Sequence, residues 1–151
     1  MDQSDIKIDK DGIWYYRGAH MFRKDILCVF FQHLKIDESG RYFVELNEEI
    51  YYLDVEDTAF VVTAVYKTKE PSNGHEMIDV LLSDDCVETL DLNSLSVGRD
   101  NVMYCRIRNG VFKARFTRNS YYQLAEFIEP EGESGPFFIR VNNEKYFIKN
   151  N

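Results

Sequence analysis

The stretch ESGRYFVELNEEIYYLD (residues 38–54) returns at residues 133–149 as ESGPFFIRVNNEKYFIK. Glu38, Ser39, Gly40, Phe43, Asn47, Glu49 and Tyr51 meet identical counterparts in Glu133, Ser134, Gly135, Phe138, Asn142, Glu144 and Tyr146. The pairs Tyr42/Phe137, Val44/Ile139, Leu46/Val141, Tyr52/Phe147 and Leu53/Ile148 keep their apolar character. Strand propensity favours aromatic and β-branched residues in any hairpin, but it does not dictate a shared Glu-Ser-Gly lead or a shared Asn-x-Glu turn. A repeat of this kind points to two copies of one supersecondary unit.

The match extends upstream. DGIWYYR (11–17) echoes NGVFKAR (109–115), with a turn glycine, a β-branched residue, an aromatic and a closing Arg. RKDILCVFFQHL (23–34) and RNSYYQLAEFI (118–128) follow, and both carry helical periodicity. The expected apolar faces are Ile26, Val29, Phe30 and Leu34 in one, and Tyr121, Leu124, Ala125 and Ile128 in the other. Asp25 and Ser120 suit the first turn of each helix. Between the copies, residues 59–67, 77–83 and 87–91 are β-branched runs bounded by turn signals, and 69–74 and 93–101 are expected surface loops. The fold class is therefore α+β: two tandem strand-strand-helix-strand-strand units with extra antiparallel strands between them. Residues 1–56 form the first unit. Residues 57–151 form the second, with the additional strands at 59–91 and the second repeat at 101–148.

A content of 44% hydrophobic and 15% aromatic residues supports a full core. The net charge of -8 disfavours bulk nucleic-acid binding, which needs surplus Lys and Arg to neutralise phosphates. Apolar runs stay short of a membrane span, and the opening MDQSD is not a signal peptide, so no membrane association is expected. Cys28, Cys86 and Cys105 fit neither a disulfide framework nor a zinc spacing. They imply reduced, mostly buried thiols in a cytoplasmic protein.

The most informative constellation surrounds Asn109-Gly110, a two-residue hairpin signal that sets register. Ile107 should face Phe112, Arg106 Lys113, Cys105 Ala114, and Tyr104 Arg115. Alternation then places Met103, Cys105, Ile107, Phe112, Ala114 and Phe116 in the core. The opposite face carries Tyr104, Arg106, Arg108, Lys113 and Arg115, with Arg118 just beyond. Like charges facing each other on a hairpin repel, and no acid occurs between Asn101 and Ala125. Compensation must come from ion pairs with the acids of SDDCVETLD (83–91), from solvent, or from a bound anion. In the first copy the loop 10–12 sets Ile6 opposite Tyr16 and Ile8 opposite Trp14, with those four in the core and Arg17 outward.

His20, His33 and His75 show no metal spacing, and no P-loop, GxGxxG or GxSxG occurs, so no metal, cofactor or catalytic set is expected. Cys105 falls on the core face and is an improbable nucleophile.

The stretches IKIDKDGIWYYRGAHMFRKDIL (6–27), DESGRYF (37–43), LDVEDTAFVV (53–62) and RIRNGVFKARFTRNSYYQLAE (106–126) together resemble the bacterial domain of unknown function 1285 family. The resemblance implies duplicated units, a second half like a pleckstrin-homology barrel, a ligand groove between the units for a nucleotide-type ligand, and a signalling role. The chain departs from the family pattern at ELNEEIYYLD (45–54) and GESGPFFIRV (132–141). The leading expectation is a non-enzymatic binding module that holds a small anionic, nucleotide-like or phosphorylated ligand between its units. Arg17, Tyr104, Arg106, Arg108, Lys113, Arg115 and Arg118 are the expected ligand-binding residues, with Tyr104 stacking on a base. The alternative is a protein-interaction or self-assembly module, because the hairpins 42–53 and 137–148 are apolar on both faces.

Overall fold

The computed structural model describes residues 4–150. The chain divides into two compact units, one running to Ala59 and one beginning at Phe60. Both mix helix and strand, and the sheets are open.

The first unit contains β1 (Ile6–Ile8), β2 (Trp14–Tyr16), β3 (Ala19–His20), α1 (Lys24–Gln32), β4 (Leu34–Ile36), β5 (Tyr42–Leu46) and β6 (Glu49–Val55). Its sheet runs β3-β2-β1-β6-β5-β4. Neighbours are antiparallel except β1 and β6, which pair in parallel, Ile6 with Leu53 and Ile8 with Val55. Gly12 adopts φ +83, and the loop it closes gives the expected register, Ile6 with Tyr16 and Ile8 with Trp14. Trp14 is buried, with its ring centroid 5.0 Å from Phe31 and 6.0 Å from Phe30 on α1. Three expectations fail in this unit. Tyr16 is exposed rather than core, and the Arg17 guanidinium lies 5.2 Å from its ring. The helix ends at Gln32 because His33 leaves helical geometry (φ -110, ψ 13), so Leu34 is buried from β4 instead. Docking on Trp14 turns Phe31 inward, and Ile26 and Val29 stay exposed.

The second unit contains β7 (Phe60–Lys69), β8 (Glu76–Leu82), β9 (Val87–Thr89), β10 (Ser96–Val97), β11 (Met103–Ile107), β12 (Phe112–Phe116), α2 (Arg118–Ala125), β13 (Ile128–Pro130), β14 (Phe137–Val141), β15 (Glu144–Phe147) and β16 (Lys149–Asn150). A seven-stranded sheet runs β16-β10-β11-β12-β7-β8-β9, and β13-β14-β15 form a separate three-stranded sheet. Residues 93–101, expected as loop, also carry 3-10 turns. The β11–β12 register is the one expected, from Tyr104 with Arg115 to Ile107 with Phe112. All six residues assigned to its inner face are buried. The helix is tied to β7 at one carbonyl: Val62 O accepts from Thr117 N–H at 3.1 Å and from the buried Ser120 hydroxyl at 2.8 Å. Gln123 Oε1 accepts from Val65 N–H at 2.7 Å. The β7–β8 register shifts between Val62 and Ala64, where these bonds are made.

The hairpins β5–β6 and β14–β15 turn alike. Asn47 and Glu48 have φ +50 and +67, and Asn142 and Asn143 have φ +54 and +66, the left-handed pair that a tight hairpin turn needs. Phe43 pairs with Tyr52 and Phe138 with Phe147 at 5.8 and 5.5 Å between centroids. The surroundings differ. β6 joins β1 in one sheet, whereas β14 and β15 associate with β13. Both β4 and β13 are short strands that follow a helix, where helical periodicity was expected to continue.

Candidate anion-binding cleft

The β11–β12 hairpin aims alternate side chains away from the core, but tertiary packing assigns them separate tasks. Arg108 is not on the strand face. It sits in the turn with φ +52, and its N–H donates to both carboxylate oxygens of Glu88, at 3.3 and 3.1 Å. Its guanidinium pairs with Asp84, whose side chain is only 5% exposed, and lies 4.7 Å from the Phe60 ring. Arg108 is therefore spent on the acids of the β8–β9 connection. A buried carboxylate needs such a partner, since leaving it alone is far costlier than the pair.

Tyr104 is 9% exposed, with the Lys113 ammonium 4.2 Å from its ring centroid. A Cβ at Gly98 would come within 3.0 Å of the same ring, so the backbone there packs directly on Tyr104. The ring is thus a covered cation–π partner for Lys113 rather than an open platform for a base. Arg106 is exposed, and its N–H donates to Ser94 Oγ at 2.9 Å. Arg17 belongs to the first unit, adopts φ +49 and reaches Asp5 at 3.5 Å, with both side chains well exposed.

Arg115 and Arg118 do converge. They line one concavity of about 360 Å³ with Asp100, Asn101, Thr117, Tyr121 and Tyr122. Arg115 comes from the end of β12 and is half-buried, and Arg118 opens α2 and is exposed. Thr117 is the helix N-cap: its hydroxyl accepts from Ser120 N–H at 3.2 Å. The positive end of the helix dipole adds to the two guanidinium groups. Asp100 and Asn101 border the cleft with φ +59 and +60, a backbone conformation that Asp and Asn adopt more readily than most residues. Arg115, Arg118 and Asp100 are the charged residues in the lining of this cleft, in a chain of net charge -8. Sequence reasoning missed Asp100, Asn101 and Tyr122. Consecutive Asp-Asn after Gly98 was the available signal, and it reads only as loop.

A larger concavity, about 590 Å³, lies in the first unit and includes Lys7, Asp9, Tyr15, Arg41, Asp54 and Glu56. Its charges are largely matched internally. Lys7 stands beside Asp54 across β1 and β6, and Asp9 already accepts from Asp11 N–H, Ile13 N–H and the Tyr15 hydroxyl. Desolvation, with the Asp9 acceptor beside it, raises the Tyr15 phenol above its ordinary range. Three carboxylates against two cations leave it net acidic, and therefore poorly suited to an anion.

Burial pushes the Cys105 thiol up to about 12, with Glu88 and Asp91 adding to the effect, so it stays protonated. Cys28 and Cys86 are exposed, contrary to the expectation of mostly buried thiols. Neither lies on a core face: Cys28 is on the outer side of α1, and Cys86 comes just before β9. Among the described residues no group of three or more His, Cys, Asp or Glu could hold a metal ion, and no helix is long and apolar enough to cross a membrane.

No protein-family model matches the sequence, and no curated protein does. Two solved structures resemble the chain. One is a DUF1285 family protein from Silicibacter pomeroyi DSS-3, with a TM-score of 0.75 and 22% identity over 97% of this chain and 79% of that one. The other is a DUF1285 family protein from Shewanella baltica OS155, with a TM-score of 0.65 and 18% identity over 82% of this chain and 91% of that one. At such identities the likeness speaks for the fold. The chain thus resembles the DUF1285 family, as its motifs implied, and shares the fold of these two members.

Proposed function

We propose that the protein is a non-enzymatic binding module whose second unit takes a small anionic ligand, phosphorylated or nucleotide-like, in the Arg115–Arg118 cleft. The observation that carries this reading is the convergence of two guanidinium groups and a capped helix start in one concavity of an acidic chain. Guanidinium groups stay protonated and match the geometry of anionic oxygens, so they bind and orient without exchanging protons. Tyr121 and Tyr122 supply aromatic walls beside them. A signalling role would follow from binding without turnover. The doubled order of elements and the matching Asn turns support a duplication behind the two units. A thermal-shift series with inorganic phosphate and nucleoside monophosphates tests the binding. Ligand at a hundredfold over its Kd should stabilise the protein by about 2.7 kcal/mol. Equal stabilisation of an Arg115→Gln Arg118→Gln variant, or none of the unaltered protein, would refute the reading.

A second reading rests on a different feature. Phe22 is 75% exposed, and Ile26 and Val29 are exposed on α1 just after it, an apolar stripe on the first unit. Such a stripe suits a protein partner or a second copy. Light scattering over a dilution series tests self-association: a monomer at every concentration removes that form of the reading.

A further inference from the structure

The larger concavity of the first unit carries charges of both signs on one sheet face. Tyr15, Lys7 and Asp54 stand in a single row across β2, β1 and β6, because Lys7 pairs with Tyr15 on one side and with Asp54 on the other. Asp9 and Glu56 follow two residues further along the same two chain segments, and therefore on the same face. Arg41 also borders the space, and the rest of the lining is Gly40, Tyr42 and apolar side chains. Two of the charged groups are already engaged. Asp9 accepts from Asp11 N–H, Ile13 N–H and the Tyr15 hydroxyl, and the Arg41 guanidinium lies 4.0 Å from the Tyr52 ring centroid. Lys7, Asp54 and Glu56 are exposed, and their side chains close no hydrogen bond or ion pair among the described residues. One ammonium and two carboxylates are thus left to a ligand. Neighbouring strands lie about 4.8 Å apart, close enough for Lys7 and Asp54 to flank one small molecule. The carboxylates do not gather with a third ligand into a group that could hold a metal ion, so the cation they can serve is an organic one with separated charges.

We propose that this concavity binds a free amino acid with a basic side chain, of the lysine type. The ligand carboxylate would meet the Lys7 ammonium, and its two cationic groups would meet Asp54 and Glu56. Two negative charges and one positive on the protein are then answered by two positive and one negative on the ligand. The space of about 590 Å³ is ample for the methylene chain, which would run beside the half-buried Tyr15 ring. This site belongs to the first unit and is independent of the anion reading for the second.

NMR titration of the isotope-labelled full chain tests it, at physiological ionic strength, where diffuse attraction to an acidic protein is screened. The ligands are lysine and three analogues that each lack one charged group: cadaverine without the carboxylate, ε-aminocaproate without the α-ammonium, and norleucine without the side-chain ammonium. Lysine should bind most tightly, and each analogue about fivefold more weakly, the upper range for an exposed ion pair. Amide shifts should centre on Lys7, Asp54 and Glu56. Lys7→Gln should make lysine and cadaverine bind alike, and Asp54→Asn or Glu56→Gln should weaken lysine. If cadaverine binds the unaltered protein as tightly as lysine, the concavity is only an acidic surface and the proposal is overturned. Shifts centred outside the first unit, or no binding by any of the four, would overturn it as well. The analogue series on the unaltered protein decides the matter even if a variant does not fold.

Discussion

Asn142 and Glu76 exchange three hydrogen bonds. Glu76 N–H donates to Asn142 Oδ1 at 2.7 Å, Asn142 N–H to Glu76 Oε1 at 3.2 Å, and Asn142 Nδ2 to the Glu76 carbonyl at 2.9 Å. They tie the turn of the three-stranded sheet to the start of β8 in the large sheet. Asn47, its counterpart in the repeat, has nearly the same φ but is an exposed turn residue in a different sheet setting. Asn142→Gly keeps a residue that tolerates φ +54 and removes the amide. It should cost about 1–2 kcal/mol in urea denaturation, because one donor and one acceptor are left without partners. Asn47→Gly should be nearly neutral.

The Glu76 carboxyl is held below its ordinary range, first by the Asn142 N–H and then by Lys67, whose Nζ lies 3.4 Å away. A depressed folded-state pKa means that the unfolded chain binds the proton first as pH falls. The stabilisation is then present above the ordinary glutamate range and lost as pH falls through the folded value. Asp25, lowered by Arg23, and Asp37, lowered by Ser39 and the Arg41 N–H, act in the same direction. Glu76→Gln should therefore be less stable than the parent near neutrality, and the gap should close in acid. Denaturant midpoints measured across that range check the sign.

Arg108→Gly relieves a left-handed arginine but strands Asp84. The loss should be about 3 kcal/mol, at the low end for a broken buried pair because Arg108 itself is 33% exposed. Adding Asp84→Asn should recover part of it, so a double-mutant cycle on denaturation should show clear coupling.

Iodoacetamide should label Cys28 and Cys86 in the folded protein and Cys105 only after unfolding, read by peptide mass spectrometry. Exposure separates the first two from a thiol that burial raises to about 12.

Much of the local structure was legible in the chain. The β11–β12 register and its six core residues followed from Asn109-Gly110 and the alternation around it. Glu45 faces Ile50 and Arg140 faces Lys145, as the Asn turns require. These are short-range consequences of turn chemistry and a two-residue period, written within a few residues of their effect. The helix faces were read less well. In α1 the nine residues span too few turns for periodicity alone to choose a face, and Trp14 chose it.

The candidate site depended on longer distances. Seven residues were expected to contact one ligand, yet only Arg115 and Arg118 share a cleft. Arg108 is claimed by Asp84 and Glu88, 24 and 20 residues earlier in the chain, and Tyr104 is covered by Gly98 and Lys113. A hairpin's alternation reveals which side chains leave the core, and here it did so for Arg106, Lys113 and Arg115, whereas Tyr104 is buried. Whether a side chain that leaves the core meets solvent, an acid or another wall depends on strands that are distant in sequence. Coulombic pairing and packing act through space, so only the assembled sheet distinguished the arginine held by Asp84 and Glu88 from the two that line a cleft.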